Sequence, residues 1–203
     1  MYIESLVIVL AYLIGSLSGA LIVTKMMRLP DPRTQGSGNP GATNVLRHGG
    51  KKAAIITLCL DILKGSIAVL VAKFVTTSAM TDMILAGATL AVFLGHLYPI
   101  FFNFRGGKGV ATAFGALLML TWPVSLALLG TWLILLLLFR YSSLAAILTA
   151  ILTPVYMFWL SGVWEYVFMS FLISALLIWR HRSNIHNLVK GKEDKVNSQQ
   201  TTI

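Results

Sequence analysis

The sequence predicts an all-α polytopic membrane protein of seven transmembrane helices, with its N-terminus outside and its C-terminus cytoplasmic. Three observations carry that expectation. Of 203 residues, 57% are hydrophobic and 11% charged, with a mean hydropathy of +0.80, a composition typical of membrane chains. The apolar residues fall in runs suited to crossing a hydrocarbon core of about 30 Å. The basic residues are segregated: segments 25–52, 101–110, 140–143 and 180–203 hold 6, 2, 1 and 5 of the 16 lysines and arginines, and the turns between them hold none. Seven spans bring all four segments to one face, which the positive-inside rule makes cytoplasmic. The net charge of +9 then belongs to one membrane surface, where it draws anionic headgroups and anionic substrates; nucleic acid is not implied.

The expected spans cover about 5–24, 53–75, 83–100, 110–122, 124–139, 144–160 and 163–179, in one domain over 1–203. The first has Glu4 in front and Lys25 and Arg28 behind, the reverse of a signal peptide, and its Gly15 and Gly19 form a small-residue face for helix packing. The second contains Asp61 and Lys64, three apart on one helix face. An unpaired charge at mid-span costs about 2.5 to 3.5 kcal/mol, so the two are expected to pair, either as a structural ion pair or lining a site. A short polar turn, 76–82, precedes the third span. From Val110 to Phe139 one helix would run about 45 Å, too long for one span, so the run divides at Thr121-Trp122-Pro123 into two, the first short. The last pair turns at Ser161-Gly162, and 180–203 is a polar tail. Cys59, the only cysteine, reads as a small apolar core residue and offers no disulfide or thiolate metal site.

Three polar motifs fall on the cytoplasmic side. RTQGSGNPGATNVLR, from Arg33 to Arg47, supplies Gly36, Gly38 and Gly41 for close backbone approach, and Ser37, Asn39, Thr43 and Asn44 as neutral hydrogen-bonding groups. Arg33 and Arg47 add fixed charge. Asn39-Pro40 reads as an N-cap followed by proline at the first helical position, predicting a short helix over about 40–47 that stops at Gly49-Gly50. Its free N–H groups and positive dipole end suit a phosphate. The second motif runs from Gly95-His96 to Gly106-Gly107-Lys108-Gly109 and offers backbone N–H groups and a point charge at a helix start, with Thr112 one turn on. His96 there is either a structural histidine or an active one. The third, Arg180-His181-Arg182-Ser183-Asn184, is a juxtamembrane basic anchor or carries a proton-transferring histidine.

Several chemistries are excluded. Gly36, Gly38 and Gly41 match G-x-G-x-x-G, but Pro30-Asp31-Pro32-Arg33 precedes them where a strand is required, and Ala42-Thr43 stands where a Walker loop needs Lys-Ser/Thr. No H-E-x-x-H, Cys/His cluster or paired-carboxylate pattern supports a metal enzyme or glycosidase, and no G-x-S-x-G elbow supports a serine hydrolase. The histidine-x4-aspartate box of soluble-type glycerolipid acyltransferases is also missing. A phosphate-ester transporter would place its site near the bilayer midplane between repeats, whereas these motifs lie at one face and the span number is odd.

With GSGNPGATNVLR, GHLYPIFFNFRGGKGVAT and RHRSNI in that order between seven spans, nearly the whole chain resembles the bacterial membrane glycerol-3-phosphate acyltransferases that use acyl-phosphate, the PlsY family. The resemblance implies acyl transfer from acyl-phosphate to the 1-hydroxyl of sn-glycerol 3-phosphate in a bacterial inner membrane, giving lysophosphatidic acid and phosphate without cofactor or metal. The enzyme that forms acyl-phosphate is then an expected partner. It makes Ser37 and Arg47 the essential serine and arginine, with Asn39, Thr43 and Asn44 in the same pocket. Gly95, His96, Gly106, Gly107, Lys108 and Gly109 become the phosphate-binding glycine motif, His181 and Asn184 the functional histidine and asparagine, and Glu193 a structural glutamate. Asn187 departs from the arginine often found there. The proton acceptor is His181, His96 or, as favoured, a substrate phosphate oxygen.

Overall fold

The computed structural model describes residues 2–76 and 80–196. Residues 77–79 of the expected turn and 197–203 of the expected tail lie outside them. The chain divides into two compact units, Met1–Trp122 and Pro123–Ile203. Among the described residues the secondary structure is wholly helical.

In the first unit, α1 (Tyr2–Gly15) and α2 (Gly19–Met26) replace the single first span, meeting at 42°. The break falls where polar Ser16 and Ser18 interrupt the apolar run. The Ser18 side chain caps α2 by accepting the Leu21 N–H at 3.5 Å, and both the N–H and the hydroxyl of Ser16 return to the Tyr12 carbonyl. α3 (Ala42–Val75) follows a loop and changes direction at Gly50, whose φ of 84° and ψ of 171° are not helical. The expected stop at Gly49-Gly50 is thus a kink, from which the span resumes at once. α4 (Thr81–Leu97) leads through a 3-10 turn, Ile100–Phe102, and a glycine-rich loop into α5 (Val110–Leu120).

Small residues set the helix spacing. A Cβ on Gly15 would run into the Val92 backbone, one on Gly65 into the Thr112 carbonyl and one on Gly115 into the Ile62 carbonyl, so α1 lies directly on α4 and α3 on α5. Gly19 sits against Thr57 and Asp61 in the same way, as its packing role predicts. The interior between these helices is rich in alanine, valine, serine and threonine around a few large side chains such as Phe93 and Leu97, while Leu63, Phe74 and Met83 point outward. Cys59 is exposed on the outer side of α3, because the inner positions Thr57 and Asp61 take the buried face.

In the second unit, α6 (Trp122–Phe139), α7 (Ser142–Ser161) and α8 (Trp164–Arg180) are apolar, and α9 (Arg182–Val189) is a polar helix that the tail was not expected to form. Gly162, at φ 66°, ends α7 at the predicted turn. Ala145, Ala146 and Ala150 of α7 are buried with Met169, Ile173 and Leu177 of α8, while Thr131 of α6 meets Tyr156 of α7 at 2.9 Å. Over the described residues, α3, α4 with its 3-10 turn, α6 and α7 are long and apolar enough to cross a membrane; α1 with α2 adds a fifth if the bent pair is one span. α5 has 11 residues, about 16 Å, and α8 has 17.

Candidate active site

The first polar loop is shaped by a buried carboxamide. Asn44, 3% exposed on the first turn of α3, donates from Nδ2 to the carbonyls of Pro32 (2.8 Å) and Gln35 (3.0 Å), and its Oδ1 accepts the Ser37 N–H at 3.2 Å. The chain closes around this group because Gly36 and Gly38 adopt φ of +51° and +67°. At Gly36 a Cβ would also strike the His48 ring and Asn44 Oδ1. Ser37 therefore has a fixed main chain and stands exposed at the tip. Asn44 was expected to line the phosphate pocket; in the structure its amide holds the loop together, since two carbonyls and an N–H turned inward need partners.

Arg33, too, is engaged within the loop. Its guanidinium holds Asp31, with Nε 3.1 Å from both carboxylate oxygens and Nη2 2.7 Å from Oδ2. Those hydrogen bonds keep the Asp31 carboxyl below the usual carboxylate range and raise the arginine's own value. The pair brings no net charge to the loop. The helix also starts two residues later than predicted: Gly41, extended at φ −145°, is the N-cap, and its carbonyl accepts the N–H groups of Asn44 and Val45. Asn39 does not cap; its amide folds back over Gly41, where a Cβ would lie 2.8 Å from Nδ2. Thr43 is exposed and Arg47 half-buried on the short helix before the kink.

The second loop, from Tyr98 to Gly109, is tied at its start. The Tyr12 hydroxyl donates to the Tyr98 carbonyl at 2.7 Å, and the Ile100 N–H reaches Ser16 Oγ at 3.4 Å. Gly95 lies on the backbone of Tyr12 and Ser16, which admits no side chain. Asn103 and Phe104 turn the chain in left-handed conformation, and the Gly107 N–H then donates to the His96 carbonyl at 3.2 Å. Gly106 and Gly107 are buried against His96, and a Cβ on Gly107 would fall 3.1 Å from the Pro40 carbonyl. The two glycine-rich loops therefore adjoin at Gly107 and Pro40. Gly109, at φ 87°, is the N-cap of α5, with Lys108 half-buried before it. Thr112 is fully buried and its hydroxyl lies 3.1 Å from His96 Nδ1, so it faces the histidine inside the protein.

In the second unit, His181 is 3% exposed at the end of α8 with Nδ1 2.8 Å from the Leu177 carbonyl. A carbonyl only accepts, so Nδ1 carries the hydrogen. Asn184, three residues on, donates from Nδ2 to Glu193 Oε1 at 2.6 Å, and the same oxygen accepts the Ser143 hydroxyl at 2.6 Å. Glu193 thus fixes Asn184 to the start of α7. Arg182 stacks on Trp179, 4.5 Å from the ring centroid, as an interfacial anchor would. Tyr12, Ser16, Asp31 and Ser143 have positions in this framework that the sequence did not reveal. The one trace of the break in the sequence, two serines beside Gly15 and Gly19 in an apolar run, was too slight to mark it.

The profile of the glycerol-3-phosphate acyltransferase family matches residues 5–191. The chain belongs to that family. A glycerol-3-phosphate acyltransferase of Thioalkalivibrio sulfidiphilus is 51% identical over 98% of this chain and 97% of its own, and one of Cupriavidus taiwanensis is 55% identical over 92% and 93%. The fold agrees with a crystal structure of PlsY, an integral membrane glycerol 3-phosphate acyltransferase in its glycerol 3-phosphate form, at a TM-score of 0.88 and 39% identity over 95% of this chain and 94% of that one. The lysophosphatidic acid form of PlsY gives 0.85 and 38% over the same shares. This family member is accordingly an integral membrane protein.

Proposed function

We propose that the protein transfers a fatty acyl group from acyl-phosphate to the 1-hydroxyl of sn-glycerol 3-phosphate, releasing lysophosphatidic acid and inorganic phosphate. The observation that carries this reading is the meeting of two glycine-rich loops at Gly107 and Pro40, each opening a helix, with Arg47 and Lys108 on the adjoining segments. Two phosphate-bearing substrates repel each other, and neighbouring backbone nests with fixed positive charge offset that repulsion. Arg33 and Asn44 shape the first nest, and Ser37, Thr43 and Arg47 face the substrate.

Acyl-phosphate is a mixed anhydride, so the reaction needs neither a covalent enzyme intermediate nor a metal. The glycerol hydroxyl oxygen bonds to the acyl carbon, the bond from that carbon to the phosphate oxygen breaks, and phosphate leaves with the electron pair. The hydroxyl proton passes to a phosphate oxygen. Holding the reactants in line supplies about 7 to 11 kcal/mol of the barrier. Loop N–H groups, Ser37 or Asn184 stabilise the developing oxyanion. His181, whose Nδ1 is held by the Leu177 carbonyl, orients a hydroxyl and is the alternative acceptor.

Seven spans follow if α1 with α2, the part of α3 beyond Gly50, α4, α5, α6, α7 and α8 each cross the bilayer. The N-terminus is then outside, and both loops and the C-terminus face the cytoplasm of a bacterium's inner membrane. The enzyme that makes acyl-phosphate, a hydrolysable substrate, is the natural partner.

The test uses purified protein in lipid vesicles with labelled glycerol 3-phosphate and either palmitoyl-phosphate or palmitoyl-CoA. Labelled lysophosphatidate from the acyl-phosphate alone, lost with Arg47→Ala, is the expected result. Product from palmitoyl-CoA alone refutes the donor, and product from neither refutes the activity.

A further inference from the structure

α3 buries two charged side chains that the proposed reaction does not use. Lys64 Nζ lies 3.0 Å from Asp61 Oδ1, with the side chains 6% and 3% exposed. Mutual neutralisation alone could be met anywhere along α3, but each member also reaches a particular partner. Lys64 Nζ donates at 2.7 Å to the Leu17 carbonyl, which the break between α1 and α2 leaves without a helical partner. Asp61 Oδ1 lies 3.6 Å from His96 Nδ1. The His96 ring meets Thr112 of α5 from the same nitrogen, and its carbonyl holds the Gly107 N–H.

We infer that Asp61 and Lys64 are positioning residues for the second glycine-rich loop, acting through His96 and Thr112. This rests on reading that loop as a phosphate cradle. The connection runs through contacts in one unit: the pair pins the break in the first span on one side and the histidine at the end of α4 on the other. Below that break, Tyr12 and Ser16 tie the start of the same loop. Its entry at Tyr98, its end at Gly107 and the first turn of α5 at Thr112 are thereby referred to one buried charge pair. Gly19 makes the arrangement possible, since a Cβ there would lie 3.1 Å from Asp61 Oδ1.

A purely structural pair and a positioning pair differ in what happens when both charges are removed. Replacing a whole buried ion pair by neutral groups of similar volume is often tolerated in stability, because no unpaired charge remains. The full-length double variant Asp61→Asn/Lys64→Met, reconstituted in phospholipid vesicles, is therefore assayed for thermal unfolding, for KM and kcat with each substrate, and for glycerol 3-phosphate binding by calorimetry. The expected result is a near-native unfolding midpoint with KM for at least one phosphate-bearing substrate raised about tenfold and kcat less affected, because N–H groups shifted off the phosphate lose ground-state and transition-state binding alike. Thr112→Val should show the same split with the ion pair intact, and Thr112→Ser should restore it. KM values unchanged in a folded double variant overturn the inference. If the double variant does not fold, unchanged KM in Thr112→Val overturns it. Should the wild type accept palmitoyl-CoA in place of acyl-phosphate, the donor assignment fails separately, and the same KM and binding comparisons are read with that donor. Wild-type protein that neither turns over nor binds glycerol 3-phosphate removes the cradle on which the inference rests.

Discussion

Asn44 offers the sharpest separation between a residue that binds substrate and one that builds the site. Asn44→Ala removes three hydrogen bonds, to the Pro32 and Gln35 carbonyls and from the Ser37 N–H, at 2.8, 3.0 and 3.2 Å. A buried hydrogen bond contributes about 1 kcal/mol net, so the three together amount to about 3 kcal/mol, and water reaching the exposed loop reduces this to about 2. At about 1.4 kcal/mol per tenfold, the opened loop becomes some 30-fold more populated, or more. Asn44→Asp keeps the acceptor for Ser37 but faces a carboxylate toward two carbonyl oxygens, and should open the loop at least as far. Hydrogen exchange of segment 33–38, measured without substrate, is the direct assay. Exchange should quicken by about that factor in both variants, with activity falling because Ser37 loses its fixed main chain. Native exchange in the substrate-free protein, combined with a raised KM, would show that Asn44 acts by touching substrate and would refute this account.

Three further outcomes follow from the same geometry. Glu193→Ala takes a charged acceptor from Asn184 and Ser143, and each such bond is worth about 1.5 to 3 kcal/mol; kcat should drop about tenfold or more, with Glu193→Gln between it and the wild type. An unaltered kcat in Glu193→Ala would mean that Asn184 needs no orientation. Gly65→Ala sets a methyl group against the Thr112 carbonyl, where only backbone can yield, and should cost about 1 to 3 kcal/mol, seen as a lower unfolding midpoint in detergent. Because Arg33 holds the Asp31 carboxyl below the usual range, their contribution to loop order is complete above the ordinary carboxylate value. It is lost as pH falls through the lower folded value. Exchange of segment 31–38, corrected for its intrinsic pH dependence, should therefore accelerate in acid, and Asp31→Asn should abolish that dependence.

The helical architecture was legible because membrane spans are written in composition: the runs ending near Val75, Phe139 and Ser161 match the helix ends within a residue or two. The division before Pro123 and the turn at Gly162 followed from length and from glycine chemistry. The break at Ser16–Ser18 was not legible, since a window average absorbs two serines among leucines and isoleucines. Nor was the start of α3, where Asn39-Pro40 has a strong local capping signal but the extended Gly41 takes the N-cap position. Within the site, the glycines stood out because they are local in sequence. The roles of Asp31, Asn44 and Ser143 depend on partners 2, 12 and 50 residues away, and only the first distance was within reach of a motif.

Those distant partners share a physical reason. A loop built to present N–H groups to a phosphate must turn some of its own carbonyls the other way, and at the edge of a bilayer few waters reach them. Asn44 satisfies the inward carbonyls of the first loop, the His96 carbonyl takes the inward N–H of the second, and Lys64 answers the carbonyl freed where the first span breaks. Each partner stands on a helix, and glycines set the spacing of the helices that carry His96 and Lys64. It follows that the precision of these nests is stored in the helix packing behind them. Substitutions at Gly19, Gly65 or Gly95, none of them on either loop, should therefore impair substrate binding through the loops' shape, even in variants that remain folded.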